Sequence, residues 1–280
     1  MRRTVDLRLF GVMVWGMLLG TGVPVWGQQD GPFSDNVFQW AHNFRIVDLA
    51  HPFDDQTIYW PTETGFQLLR GPAGRTEKGY FYSANRFAAP EHGGTHIDAP
   101  IHFFEGRQTV DQVPLGRLLG EAAVVDVTEK ARRDRDYQIS VADLRGWEER
   151  HGRSLDGRIV LLRTGWARFW PDRERYLGTA KRGAEALAEL HFPGLAPAAA
   201  RWLVENRAVK AVGIDTASID FGPSDRFEAH VTLFEHNVPV FENVADMSEL
   251  PESGAVVIAL PMKIAAGSGG PLRIVALVPQ

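Results

Sequence analysis

The sequence contains no cysteine among its 280 residues. Without thiols it can form no disulfide bond, no thiolate zinc site and no cysteine nucleophile, so its stability depends on packing and on any bound metal. It also lacks a Ser-, Gly- or Pro-rich linker, a block of like charge and an internal repeat. We therefore predict one large domain over residues 28–280, of ordinary globular composition with 44% hydrophobic residues.

A long apolar segment of membrane-spanning length is also missing. The longest uncharged, mostly apolar run covers residues 9–23, which is shorter than the roughly 20 residues that a spanning helix needs. Arginines precede this run and the polar residues that begin at Gln28 follow it. This order is typical of a secretory signal peptide. We predict that residues 1–27 are cleaved after Gly27 and that the protein is exported, periplasmic or secreted; the alternative is an uncleaved membrane anchor.

The chain has no excess of positive charge. Its formal net charge is −5, and it becomes −7 without residues 1–27, which carry three arginines and one aspartate. An acidic protein is poorly suited to nucleic acid or to an anionic membrane surface. We expect neither as a partner after signal cleavage, and we expect a small-molecule substrate instead.

Short apolar segments that alternate with a few helical segments predict an α/β fold with a mixed sheet. Ser140 and Gly152 bracket one helix as N-cap and terminator, and Pro197 begins another. The predicted helices cover Val141–His151 and Pro197–Asn206, and the predicted strands cover residues 46–49, 80–88, 122–127, 159–162, 209–214, 238–241, 255–260 and 272–278.

Four residues that can bind metal stand close together in the sequence: His92, His96, Asp98 and His102. Imidazole and carboxylate groups are ligands of zinc, manganese and similar divalent ions. All four positions are even, so an extended chain would place their side chains on one face. Three protein ligands would leave coordination positions open, as in catalytic metal sites. The alternative is that these are core or surface histidines without a ligand role.

A straight strand cannot bring this motif onto one metal ion. At about 3.3 Å per residue, His92 and His96 would stand about 13 Å apart, whereas zinc–imidazole bonds measure about 2.0–2.1 Å. The chain must therefore turn between them, and Gly93–Gly94 give it the freedom to do so. We expect residues 95–98 to be extended, and we expect Pro100 to redirect the chain so that His102 returns over the site.

His230 and Glu242 form a second candidate cluster. Glu242 directly follows the apolar strand predicted over residues 238–241, a position where functional carboxylates often lie. By residue type alone the pair is weak evidence, because a histidine and a glutamate twelve positions apart occur in many structural contexts.

The stretch from His92 to Phe103 resembles the His-x-Gly-Thr-His-x-Asp-x-Pro-x-His-Phe signature of the cyclase family of metal-dependent hydrolases, which includes bacterial kynurenine formamidase and isatin hydrolase. It agrees at every fixed position. Further segments of the mature chain resemble the same family: residues 47–49, 60–61, 163–166, 213–220, 230, 242–243 and 267–273.

The resemblance implies specific roles. His92, His96 and Asp98 would bind one ion, and Asp98 would bridge to a second ion bound by His230 and Glu242 where two are present. The other implied roles are proton transfer for His102 and substrate contact for Trp60, which could instead be an ordinary core tryptophan. The cofactor would be one or two Zn²⁺ or Mn²⁺ ions per chain, since the ligand types suit both.

The fold that the resemblance implies is a compact single α/β domain with a mixed, barrel-like central sheet and flanking helices, of the swivelling β/β/α type, usually as a homodimer. One departure from the short formamidases is a longer connection over residues 169–193. This connection could be a lid, a dimer arm or a solvated surface excursion.

The implied activity is hydrolysis of a small amide, formamide or lactam by metal-activated water, with His102 as general acid and base. Two alternatives stay open: a secreted metal- or ligand-binding protein without activity, and a cyclase or dehydratase that uses the same site. Export argues against kynurenine formamidase itself, because tryptophan catabolism is normally cytoplasmic. Thr95, Asp215 and Asp220 are expected to have supporting roles.

Overall fold

A computed structural model describes residues 43–280; the predicted signal peptide, residues 1–27, lies outside this range. Its strands are β1 (Phe44–Asp48), β2 (Gln67–Leu69), β3 (Ala73–Arg75), β4 (Phe81–Ser83), β5 (Arg86–Ala88), β6 (His96–Asp98), β7 (Leu119–Asp126), β8 (Gln138–Ile139), β9 (Ile159–Arg163), β10 (Gly194–Leu195), β11 (Ala211–Ile214), β12 (Val240–Glu242), β13 (Ser253–Pro261) and β14 (Gly269–Pro279). Its α-helices are α1 (Leu115–Leu118), α2 (Thr128–Arg133), α3 (Val141–His151), α4 (Arg173–Leu177), α5 (Pro197–Asn206) and α6 (Glu228–Glu235).

Seven strands close into a mixed barrel in the order β14-β13-β7-β9-β11-β12-β6, and β6 returns to β14. Strands β7, β9, β11 and β12 run parallel, while β6, β13 and β14 pair antiparallel with their neighbours. Strand β14 is long enough to pair with β6 at its start and with β1 at its end. The predicted α/β fold with a mixed, barrel-like sheet is confirmed.

The barrel has a core on each side of its wall because side chains alternate along a strand. In β7, Ala122 and Val124 pack in one hydrophobic cluster with residues of β13 and β14. Ala123 and Val125 pack in the other cluster, with side chains of α3, α5 and α6. The helices therefore cover the parallel strands from outside. Among the described residues no helix is both long and apolar enough to span a bilayer.

The two helices predicted from capping signals are confirmed. The Ser140 hydroxyl accepts a hydrogen bond from the Asp143 amide at the start of α3, and Gly152 ends the helix at φ 59°. Pro197 stands in the first turn of α5. Backbone N–H groups in this turn have no intrahelical acceptor, so the missing N–H of proline costs no hydrogen bond. The capping residues thus set both helix starts as expected.

The single strand predicted over residues 80–88 is wrong. The chain instead forms two short strands, β4 paired with β3 and β5 paired with β2, in separate two-stranded sheets. The break lies at Asn85, whose side chain accepts a hydrogen bond from the Gly71 amide. We name residues 67–88 the hairpin arm; every residue of its four strands is exposed.

The connection over residues 169–193 packs onto the body of the domain. Its Tyr176, Leu177, Leu190 and Phe192 are buried in a third hydrophobic cluster, together with Ile58. A segment with this much buried apolar surface is neither a solvated excursion nor a projecting arm.

Candidate metal centre

The turn that begins the motif requires its two glycines. Gly94 has φ +58° and Gly93 has φ +156°, values that L side chains rarely adopt. A Cβ atom at Gly93 would stand 2.1 Å from the Tyr59 ring, and one at Gly94 would stand 2.6 Å from the Phe53 ring. The chain therefore reverses tightly here and brings His92 back beside β6.

The three side chains of strand β6 lie on two opposite faces of the sheet. Ile97 packs into the hydrophobic cluster that contains the inner residues of β7. His96 and Asp98, one position to either side, lie on the opposite face and are almost completely buried. The sequence prediction that residues 95–98 are extended with His96 and Asp98 on one face agrees with this strand.

Asp98 lies at the centre of three imidazoles. Its Oδ1 is 2.6 Å from Nδ1 of His92 and 3.0 Å from Nε2 of His96. Its Oδ2 is 3.1 Å from Nε2 of His230, which α6 presents to the site. One carboxylate thus belongs to both donor groups, His92–His96–Asp98 and Asp98–His230–Glu242, in each of which the ligand atoms lie within 4.8 Å of one another.

Strand pairing brings Glu242 to the same place. Strand β12 runs antiparallel to β6, and Glu242 stands directly opposite His96 in the register. Its carboxylate oxygens are 3.0 Å from Nε2 of His230 and 3.5 Å from Nε2 of His96. The structure therefore brings together all five residues that were proposed as metal ligands from the sequence.

Hydrogen bonds on the outer side of each imidazole determine which nitrogen faces the carboxylates. Nδ1 of His96 is 3.0 Å from the Gly94 carbonyl, and Nδ1 of His230 is 2.6 Å from Oδ2 of Asp220. Nε2 of His92 is 2.9 Å from the Ser268 hydroxyl, which donates to Glu91. If each outer nitrogen carries the proton, each inner nitrogen presents a lone pair.

This donor set fits a divalent cation. Imidazole lone pairs that face carboxylate oxygens at about 3 Å repel each other unless a proton or a cation lies between them. Histidine ligands held by a carboxylate or a carbonyl on their outer nitrogen are typical of metal sites. His92 would bind through Nδ1, and His96 and His230 would bind through Nε2.

The two buried carboxylates have opposite pKa shifts. Burial favours the neutral form of Asp98, but the positive charges that His92 and His96 carry when protonated, together with its hydrogen bonds, outweigh this and hold the pKa of Asp98 well below the ordinary value. Burial and the negative charge of Asp98 raise the pKa of Glu242. Asp98 is therefore the carboxylate that stays ionised most readily.

His102 lies beside the donor groups and is not one of their members. A 3-10 turn over Pro100–His102 redirects the chain, and the His102 ring stacks on His92 at 3.6 Å between centroids. Burial lowers the pKa of His102 to about 4, so its imidazole is neutral at pH 7. Within residues 43–280 no protein group forms a hydrogen bond with this ring.

Aromatic side chains form the wall of a cavity of about 220 Å³ over the donor groups. Trp60, Phe103 and Phe227 line it, and Phe103 also stacks on His230 at 4.6 Å. No lysine or arginine of the described chain lines this cavity. The walls are therefore mainly apolar, with Glu63, Ser218 and Asn243 as further polar lining residues, and the imidazoles and carboxylates lie at the base.

Comparison with known proteins identifies the family of this chain. The sequence model of the family described as "Putative cyclase" matches residues 47–221. The chain belongs to the cyclase family. It is 31% identical over 210 residues to isatin hydrolase of Roseibium aggregatum, covering 72% of this chain and 77% of that protein. It is 29% identical to kynurenine formamidase of Erythrobacter litoralis, covering 84% of this chain and 95% of the relative.

Solved structures of the cyclase family share the fold. Isatin hydrolase A from Labrenzia aggregata, bound to benzyl benzoate, superposes with a TM-score of 0.78 at 29% identity, over 88% of this chain and 99% of that one. An isatin hydrolase bound to the product analogue thioisatinate gives a TM-score of 0.78 at 25% identity, over 88% of this chain and 96% of the other. The predicted family membership is confirmed.

Several residues of this cyclase-family site were not found from the sequence. Ser268 was given no role beyond its place in the segment 267–273, yet it contacts His92, and Gly269–Gly270 after it pair with β6. Glu91 and Phe227 were not proposed as site residues. Thr95 was expected to have a supporting role, and its hydroxyl donates to the Asn243 carbonyl at 2.7 Å. The adjacency of Glu91 to the His motif was the one available hint.

Proposed function

We propose that this protein is a metal-dependent hydrolase of small aromatic amides, formamides or lactams. The observation that carries the proposal is the convergence of three imidazoles and two carboxylates at the base of an aromatic cavity. The relatives support it, because those named isatin hydrolase and kynurenine formamidase are hydrolases of carbon–nitrogen bonds. We propose one or two Zn²⁺ or Mn²⁺ ions per chain as the cofactor.

The residues of the site have different roles in the proposed amide hydrolysis. A divalent cation held by the donor groups would supply Lewis-acid chemistry, polarising the substrate carbonyl and acidifying a water molecule. The neutral imidazole of His102 accepts the proton of the attacking water and returns it to the leaving nitrogen. Because the His102 ring stacks on His92 at 3.6 Å between centroids, it lies directly beside the donor groups.

The cavity walls favour an uncharged aromatic substrate. Trp60, Phe103 and Phe227 offer flat apolar surface, which suits stacking on an aryl ring. Since no lysine or arginine of the described chain lines the cavity, a substrate carboxylate would lose hydration there without gaining a protein cation. The solved relatives are described with benzyl benzoate and with thioisatinate, both aromatic molecules.

Assays with a panel of N-formyl anilines, isatins and simple lactams test this function. We expect release of the free amine and acid, or opening of the lactam ring, in the presence of Zn²⁺ or Mn²⁺. Chelation should abolish turnover and metal addition should restore it. Metal binding with no hydrolysis of any compound would favour the binding-protein alternative, and product formation without addition of water would favour a cyclase or dehydratase.

We also propose that the protein is a homodimer that uses the hairpin arm. Phe81 is 69% exposed, and Leu68, Leu69 and Phe87 are about half exposed. Such a patch on strands that contribute to no core of their own chain is typical of an interaction surface.

The dimer prediction can be tested by introducing one charged residue into the hairpin arm. We expect Phe81→Glu to convert the dimer to monomer in analytical ultracentrifugation, because the introduced carboxylate would have to be desolvated at the interface. Leu115→Glu is the matched control, since Leu115 is 71% exposed outside the arm and its substitution should leave the mass unchanged. A wild-type monomer at micromolar concentration would contradict the proposal.

Export stays a proposal, because residues 1–27 lie outside the described part of the chain. N-terminal sequencing of the protein recovered from a bacterial host would test it. We expect the mature chain to begin at Gln28.

A further inference from the structure

Tyr176 connects the longer connection, residues 169–193, to the metal centre. It lies in α4 within residues 169–193 and is fully buried. Its hydroxyl oxygen is 3.0 Å from Oδ1 of Asn243 and 3.0 Å from the main-chain oxygen of Asp215. Burial raises the pKa of Tyr176 well above its ordinary value, so the hydroxyl keeps its proton and donates it to one of these acceptors.

Asn243, next to the candidate ligand Glu242, contacts the His motif in two places. Its Nδ2 donates to the Gly94 carbonyl at 2.8 Å, and that carbonyl also accepts from Nδ1 of His96 at 3.0 Å. Its own main-chain carbonyl accepts from the Thr95 hydroxyl at 2.7 Å. Asn243 therefore holds the turn that precedes β6 and the carbonyl that orients His96.

We propose that Tyr176 is a positioning residue for the metal ligand His96 and acts through Asn243. The inference rests on the metal site of the proposed function. Residues 169–193 would then help to hold the metal ligands in place, and they would be neither a lid nor a dimer arm.

The hydroxyl reinforces one of the two orientations, differing by 180°, that the Asn243 side-chain amide can adopt. A Tyr176 hydroxyl that donates to Asn243, and not to the Asp215 carbonyl, favours the orientation with Oδ1 toward the tyrosine and Nδ2 toward Gly94. The reversed amide would place Oδ1 against the Gly94 carbonyl, and the two oxygens would repel each other. Removing the hydroxyl therefore loosens the carbonyl to which His96 donates.

Tyr176→Phe tests the proposal with little change in shape. We expect the dissociation constant for Zn²⁺, measured by chelator competition, to rise about tenfold, within the 10–100-fold range typical of outer-shell partners. The visible absorption of the Co²⁺-loaded protein should change in intensity, because the ligand geometry relaxes. Tyr137→Phe is the matched control: it removes a hydroxyl that donates to the buried Asp143 at 2.7 Å, so it should lower the melting temperature without changing either metal readout.

A double-mutant cycle separates the route through Asn243 from a general loss of packing. Asn243 has φ +50°, so glycine can adopt the same backbone conformation, and Asn243→Gly removes the side chain with its amide. We expect Tyr176→Phe to have no further effect on the Zn²⁺ constant in this background. Full additivity, or an unchanged constant in Tyr176→Phe alone, would overturn the proposal. Wild-type protein that binds metal but hydrolyses nothing would refute only the proposed function, whereas wild-type protein that binds no metal would refute both.

Discussion

Asp98→Ala should remove the metal and, with it, all turnover. Asp98 is the one carboxylate of the described chain shared by both donor groups, and its oxygens lie within 3.1 Å of His92, His96 and His230. Its loss removes a bridging charge and leaves three imidazoles facing one another. We expect metal affinity to fall by more than the roughly 10–100-fold that follows loss of an outer-shell partner.

Elemental analysis after dialysis against metal-free buffer measures this effect. Asp215→Asn is the control, because Asp215 is as buried as Asp98 but accepts hydrogen bonds from Thr164 and Trp166 and does not line the metal site. We expect that variant to be less stable and to bind metal at the wild-type stoichiometry. Full occupancy in Asp98→Ala would remove Asp98 from the ligand set.

The part of the site within one local segment could be predicted from the sequence. Two glycines before His96, alternation along residues 95–98 and a proline at position 100 are local constraints on the backbone. They led to the turn, the short strand and the return of His102, all of which the structure contains. The capping residues of α3 and α5 are local signals of the same kind, and they predicted where both helices begin.

The distant half of the site could not be predicted in this way. His230 and Asp98 are 132 positions apart and meet because α6 packs against the barrel. Glu242 reaches His96 through the register of β12 on β6, and register depends on the closure of the whole barrel. Residue type alone gave weak evidence for this pair, and only the family resemblance selected it.

The hairpin arm shows a second limit of prediction from the sequence. Tyr80, Phe81, Tyr82 and Phe87 have the composition of a buried strand, and one strand was predicted there. These side chains are about half exposed or more within one chain, because a hydrophobic pattern indicates that a surface must be covered and not what covers it. A surface buried only in a dimer gives the same pattern as a core strand.

His102 provides the prediction that separates chemistry from metal binding. We expect His102→Ala and His102→Asn to keep the metal and to lower kcat by a factor on the order of 10²–10⁴, the usual contribution of a general acid–base residue. The metal should stay because His102 belongs to neither donor group. Elemental analysis and steady-state kinetics on the same preparation measure both quantities.

His102→Phe distinguishes proton transfer from packing. A phenyl ring can keep the stack on His92, which has 3.6 Å between centroids and 12° between planes, but it cannot carry a proton. If His102 serves as the base, this variant should lose as much activity as His102→Ala; if its role were to hold His92 in place, phenylalanine would restore most of kcat. His236→Ala is the control, because His236 is exposed after the end of α6 and its Nδ1 donates to the Thr232 carbonyl at 3.0 Å; it should keep wild-type rates. Wild-type turnover in His102→Phe would therefore assign proton transfer to another group of the site.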